Sequence, residues 1–233
     1  MTTESEHARL EAVLARAQAE GALGSWPIAD VVDHAREFVA ALPPDATSVL
    51  DLGTGAGIPG LIIALDRPDL HVTLADRRGK RIDALRRACA FLGWTDRVTL
   101  VAMDAELMAR EPTWRASFDV VVARGFAEPR TTLRLASQLC RHNGRVIVSE
   151  PPTTAASRWD PAWCQEYLVR PPHRVGRVVM FHVEHGRDAG SRTPDVPRGT
   201  TDTHSAPVPR GTTPRVQGID ATDEQPPSGT VEA

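Results

Sequence analysis

Lysine is almost missing from this chain of 233 residues: Lys80 is the only one, and arginine supplies the rest of the 27 basic side chains. Against 30 acidic residues they leave a formal net charge of −3, which excludes a basic field over the whole chain. Any attraction for nucleic acid must therefore be local. No apolar run approaches the length that spans a bilayer, and no membrane association is expected. The N-terminus lacks the basic-then-apolar layout of a secretion signal. Cysteine is also scarce. Cys89, Cys140 and Cys164 are an odd number without metal-ligand spacing, so they read as free thiols in a reducing cytosol and no metal site is assigned.

The aromatic residues and leucine run out before the chain does. From Gly186 to Ala233 there is no Phe, Trp, Tyr or Leu. Such a stretch buries too little apolar surface to offset its ordering entropy, and is expected to be a disordered tail over 186–233. It repeats itself: Val196-Pro-Arg-Gly-Thr-Thr201 returns as Val208-Pro-Arg-Gly-Thr-Thr213. The DNA palindrome GTTCCACGTGGAAC, with one further base, can encode Val-Pro-Arg-Gly-Thr. Shifted by one base and suitably flanked, it encodes Met-Phe-His-Val-Glu-His, the residues at 180–185. The palindrome closely resembles a bacterial chromosome-partition site. A DNA element inside the gene would account for all three copies without a protein role for the tail.

The remainder has regular periodicity. Leu10, Val13, Leu14 and Ala17 fall on one helix face, ended by Gly21 and Gly24, and a second helix is expected from about Ile28 to Leu42. These make an N-terminal helical segment, 1–46. From 47 to 185 strands and helices alternate. Strands are expected at Ser48–Leu52, His71–Ala75, Val98–Ala102, Phe118–Ala123 and Arg145–Ser149. Helical faces lie between, with Gly93 as one C-terminal stop and a helix over about Thr131–Cys140. Alternation of this kind implies an α/β, doubly wound and mostly parallel sheet. Trp163–Val169 and Arg174–Val183, joined at Pro171-Pro172, read as a closing antiparallel hairpin. That layout is expected of a Rossmann-like class I methyltransferase.

The turn Asp51-Leu-Gly53-Thr-Gly55-Ala-Gly57 closes the first strand, where open α/β sheets bind ligands. Two cofactors are compatible with it. Gly55-x-Gly57-x-x-Gly60 matches the dinucleotide fingerprint. Asp51, however, would repel a pyrophosphate and favour the cationic methionine end of S-adenosyl-L-methionine. Asp76, at the end of the second strand, suits ribose hydroxyls in either case.

From Val49 to about Ser149 the sequence resembles the RsmG (GidB) family of small-subunit rRNA guanine-N7 methyltransferases. The resemblance rests on Asp-Leu-Gly-Thr-Gly-Ala-Gly-Ile-Pro-Gly at 51–60, Leu74-Ala-Asp76-x-x-Gly-Lys80-Arg81, and Ala123-Arg124-Gly-Phe126. It implies S-adenosyl-L-methionine contacts at Gly53, Ile58 and Asp76, adenine flanked by Ala105 and Glu106, and Arg124 near the cofactor. It also implies a cytoplasmic enzyme, expected to be a monomer, acting on 16S rRNA or the small ribosomal subunit. Guanine N7 carries a free lone pair, so no proton need leave and no general base is required. No catalytic residue is assigned. The Asn/Asp-Pro-Pro-aromatic motif common in exocyclic-amine methylation is absent after the fourth strand.

The chain departs from the family at its edges. Asp33-His34 stands where Arg-His is expected, and Glu150-Pro151 where the family has Lys-Gly. Two arginine groups could reach phosphates: Arg77, Arg78, Lys80 and Arg81, or Arg130, Arg134, Arg141 and Arg145. A methyltransferase for a small molecule or protein, and a non-catalytic cofactor-binding relative, are the alternatives.

Overall fold

The structure is a computed structural model that describes residues 3–151 and 157–184, with side chains from residue 5 onward. The tail expected to be disordered lies outside the described residues.

Two helices open the chain, α1 (Thr3–Ala19) and α2 (Ile28–Ala40). Then follow β1 (Ser48–Leu52), α3 (Gly60–Asp66), β2 (His71–Asp76), α4 (Gly79–Leu92), β3 (Val98–Ala102), α5 (Ala105–Arg110) and β4 (Phe118–Ala123). The last described elements are α6 (Pro129–Leu139), β5 (Cys140–Ser149), α7 (Pro161–Glu166), β6 (His173–Val175) and β7 (Val178–His182).

The seven strands form one sheet in the order β3-β2-β1-β4-β5-β7-β6. β1 to β5 are parallel; β7 runs antiparallel to β5 and to β6. The central strands β1, β2 and β4 are buried almost throughout because helices cover both faces, and β5 joins them over Val146–Val148. One face packs Val49, Val72, Val120 and Ile147 against α1, α2, α3 and α4. The other packs Leu50, Leu52, Val121 and Val146 against α5, α6 and α7. In α2 the buried Val31, Ala35 and Phe38 recur at helical spacing, and Leu10 and Leu14 of α1 join the same core.

The order reverses between β1 and β4, so the chain leaves the carboxyl ends of these neighbours in opposite directions and opens a crevice there. This is where the glycine turn lies.

The closing hairpin is real, but its residues are not the expected ones. Residues 161–166 are helical: the Asp160 carboxylate accepts from Ala162 N at 2.8 Å and Pro161 occupies the first turn, a start signal that outweighs the local β-propensity. Of the expected strand 163–169 only Val169 bridges to Val183. The hairpin instead folds the second expected strand on itself. Gly176, at φ +58, supplies the left-handed turn between β6 and β7. Glu37 of α2 clamps that turn, accepting from Arg177 N and Arg177 Nε, both at 2.5 Å.

Candidate active site

The turn after β1 is fixed by its own backbone. Gly53 N and Thr54 N both donate to Ala75 O at 2.9 Å, tying it to the end of β2. Gly53, at φ +72, holds a conformation that favours glycine, and an added Cβ there would collide with the Phe126 ring.

Asp51 lies beneath the turn, 1% exposed. Its Oδ2 accepts from Thr54 Oγ1 at 2.7 Å and Gly60 N at 2.9 Å, while the buried Oδ1 has no partner among the described residues. Burial pushes this carboxyl up to about 6, although the Thr54 and Gly60 hydrogen bonds and the Arg124 charge favour ionisation. Asp51 thus staples the loop and carries an uncompensated oxygen under it. It does not line the cleft above.

Asp76 is held from three sides. Oδ2 accepts from Gly55 N at 3.1 Å and Arg81 Nη1 at 3.2 Å, and Oδ1 accepts from Arg78 N at 2.9 Å. A carboxylate has about four acceptor sites, so one remains for a ligand. At the end of β3, Asp104 caps α5 by accepting from Glu106 N at 2.9 Å. The Glu106 carboxylate pairs with both Nη atoms of Arg134, and this hydrogen bonding holds its pKa below the usual value.

These strand ends enclose a cleft of about 460 Å³ that includes Gly53, Asp76, Ala105, Glu106 and Phe126. Four of the sequence-predicted residues therefore meet on one surface. Gly57 and Ile58 are buried within the loop, and Gly55 faces a separate apolar groove.

Arg124 faces a second cavity of about 580 Å³ over the ends of β4 and β5. Gly125, Phe126 and Ala127 line both spaces and so form their common wall. The Arg124 side chain has no hydrogen bond or ion pair among the described residues. Burial lowers its pKa and the charge of Asp51 raises it; a guanidinium stays charged under both.

Asp33, His34, Arg124, Phe126, Glu150 and Pro151, each singled out in the sequence, line this second cavity, but no sequence pattern had brought them together as one site. Trp26 sits on its lining, 71% exposed. His34 lines it with a buried Nε2 that lacks a partner among the described residues, and burial, then Arg177 and Arg124, lower its pKa. Glu150 is 6% exposed. Its Oε1 accepts from Arg158 Nε at 2.8 Å and Trp159 Nε1 at 2.7 Å. These residues come from segments far apart in the chain.

A parallel sheet that reverses between β1 and β4 and ends in an antiparallel hairpin, with a glycine turn after β1 and an acid after β2, defines the class I methyltransferase fold. A solved putative O-methyltransferase from Klebsiella pneumoniae shares it, with TM-score 0.54, 16% identity, and 76% of this chain and 90% of that one covered. So does a putative caffeoyl-CoA O-methyltransferase from Staphylococcus aureus, with TM-score 0.51, 14% identity and 75% and 91% covered. At such identities the likeness concerns the fold.

Within that class the chain belongs to the GidB family, described as rRNA small subunit methyltransferase G, whose family model matches residues 28–151. Among curated relatives, the ribosomal RNA small subunit methyltransferase G of Roseiflexus castenholzii is 41% identical over 99 residues, 42% of each chain. That of Moorella thermoacetica is 37% identical over 122 residues, 52% of this chain and 50% of the relative. The match thus spans about half the length of these relatives or less.

Proposed function

We propose that this chain is an S-adenosyl-L-methionine-dependent methyltransferase that methylates N7 of a guanine in 16S ribosomal RNA. The observation that carries the reading is the pair of adjoining spaces over the β1 and β4 ends, separated by Gly125-Phe126-Ala127. One suits a nucleoside cofactor and the other an acceptor base, so their junction is where a methyl group would pass.

The residues fit the cofactor. Asp76 has an acceptor site left for a ribose hydroxyl, and Gly53 has no Cβ to obstruct close approach. Ala105 and Glu106 form the wall of the nucleoside cleft. Asp51, with an unpartnered oxygen under the loop, biases the local potential toward a cation, and Gly55, Gly57 and Ile58 shape the turn above it. Bound there, the cofactor supplies an electrophilic methyl group on a sulfonium. The protein aligns donor and acceptor and excludes water, which suffices for a nucleophile with no proton to lose.

Arg124 lines the acceptor cavity beside the shared wall, with no hydrogen bond or ion pair among the described residues, and is free to donate to an acceptor oxygen on the base. Arg77, Arg78 and Lys80 are exposed and have no side-chain partner among the described residues. The second arginine group is engaged: Arg130 with Glu166, Arg134 with Glu106, Arg141 with Asp119, Arg145 with His182. The first group is the better phosphate track. Among the described residues no helix is long and apolar enough to cross a membrane. A cytoplasmic monomer acting on the small subunit accords with this reading.

The test has two parts. Titration with S-adenosyl-L-methionine should show weaker binding for Asp51→Ala and Arg124→Ala than for wild type. Tritium from labelled cofactor should pass to small subunits that lack the modification. Cofactor binding without transfer to RNA would refute the rRNA assignment and favour another acceptor.

A further inference from the structure

We propose that Glu150 and Arg124 select guanine as the acceptor base: the open Oε2 of Glu150 accepts from the N1–H and N2–H₂ edge, and Arg124 donates to O6. The assignment rests on the methyl-transfer reading above.

Glu150 occupies the position where the family resemblance puts a lysine, yet it does not face outward toward a phosphate. It is buried at the end of β5 on the cavity wall. Arg158 and Trp159 both hold Oε1; Arg158 also donates to Ser149 O at 2.6 Å and lies 5.0 Å over the Trp159 ring. The Oε2 atom has no partner among the described residues and is not enclosed in the core. A carboxylate fixed by one oxygen, with the other open to a cavity, is an oriented acceptor.

The order of the strands supplies the rest. Across the sheet, the carboxyl ends run from Asp76 on β2 to Gly53 after β1, Arg124 after β4 and Glu150 after β5. Neighbouring strands are about 4.8 Å apart, the scale of a nucleobase edge. Around guanine, the groups run N7, O6, N1–H, N2–H₂. Laid over the strand ends, N7 faces the methyl-donor cleft, O6 meets the unpaired guanidinium of Arg124, and the two donors meet Glu150. Adenine presents a donor where Arg124 needs an acceptor, and an acceptor where Glu150 needs a donor. Buried groups left unpaired in this way are what make a polar site selective.

The test uses wild-type protein saturated with S-adenosylhomocysteine and titrated with GMP, IMP and AMP. IMP keeps O6 and N1–H but lacks the N2 amine. The expected order is GMP, then IMP about tenfold weaker, then AMP about a hundredfold weaker. Glu150→Gln should bring GMP and IMP within about twofold of each other while S-adenosylhomocysteine affinity stays unchanged. Trp159→Phe, which removes one of the two donors to Oε1 without altering charge, should also narrow the ratio. Equal wild-type affinities for GMP and IMP would overturn the assignment, and would do so even if rRNA is methylated. A preference for GMP that Glu150→Gln preserves would overturn it too. GMP selectivity without transfer to rRNA would support this assignment and count against the 16S substrate alone.

Discussion

Replacing Asp51 by Asn should alter how stability depends on pH. In the fold the carboxyl is raised from an ordinary 3.8 to about 6, so its proton is held by about 3 kcal/mol more than in the unfolded chain. The sign follows from proton counting. Between 3.8 and 6 the folded chain binds more protons than the unfolded one, so stability falls as pH rises through that window and levels off above it. From pH 5 to 7.5 the loss attributable to Asp51 is on the order of 1 kcal/mol. Asn has no proton to lose and removes this slope. His34 and His182 act in the opposite sense, because their pKa values are lowered and their contribution is lost as pH falls. They are common to both proteins and cancel in the difference. The assay is urea denaturation of wild type and Asp51→Asn at half-unit steps from pH 5 to 7.5. The wild type should lose on the order of 1 kcal/mol relative to the variant across that range. A stability difference that stays flat would show that Asp51 ionises in the fold as easily as in water, and the argument from its burial would fail. Cofactor binding gives a second readout: a cation drawn to Asp51 should bind more tightly as pH rises from 5 to 7 in the wild type, and not in the variant.

Gly60→Ala places a Cβ against Leu74 and 2.8 Å from Asp51 Oδ2, and should cost about 1–3 kcal/mol in chemical denaturation. Gly79→Ala, at the start of α4 with nothing within 4 Å, should be neutral or stabilise by up to about 1 kcal/mol; equal losses at both sites would contradict the packing described for the loop. Removing three cations in Arg77→Gln/Arg78→Gln/Lys80→Gln should lower the salt slope of rRNA binding by about 2–3, whereas Arg130→Gln/Arg141→Gln, which break existing pairs, should leave it nearly unchanged. The reverse result would move the phosphate track to the other face.

What the sequence disclosed follows from how the parts are held. β1, β2 and β4 are buried on both sides, so each is an apolar run ending in punctuation, and Gly53 and Asp76 sit at those ends. A site made from strand termini is legible because every component adjoins a strand that is itself legible. The second cavity is different. Trp26, His34, Arg124, Glu150 and Arg177 meet only because α2 and the β6–β7 hairpin pack beside the same strand ends, joined through Glu37 and Arg177. No local pattern announces a contact between residues 37 and 177. The misread strand at 163–169 has another cause: its β-branched and aromatic residues fit a strand, but Asp160-Pro161 fixes the backbone as a helix start before those preferences act.

The repeated DNA word sharpens this point, because the first five residues of one frame, Met180 to Glu184, lie inside the fold. At 180–185 it reads Met-Phe-His-Val-Glu-His, and within that stretch Phe181 and Val183 are fully buried while His182 is partly exposed and Glu184 exposed. That is the alternation of a half-covered strand, and Phe181 pairs in register with Val146 of β5. The other frame, Val-Pro-Arg-Gly-Thr, carries a proline without an N–H and a glycine; in the place of β7 it would break the ladder to β5. Its two copies, from Val196 and Val208, lie outside the described residues. If a palindrome is selected as DNA, it can enter a gene's folded part only in a frame whose residues the sheet accepts. The nucleotide sequence should therefore show the same fourteen bases — roughly one palindrome per copy — at all three places, shifted by one base between the strand and the two later copies. Synonymous codons that break the palindrome at any of them would sever the link between the tail's repeat and β7.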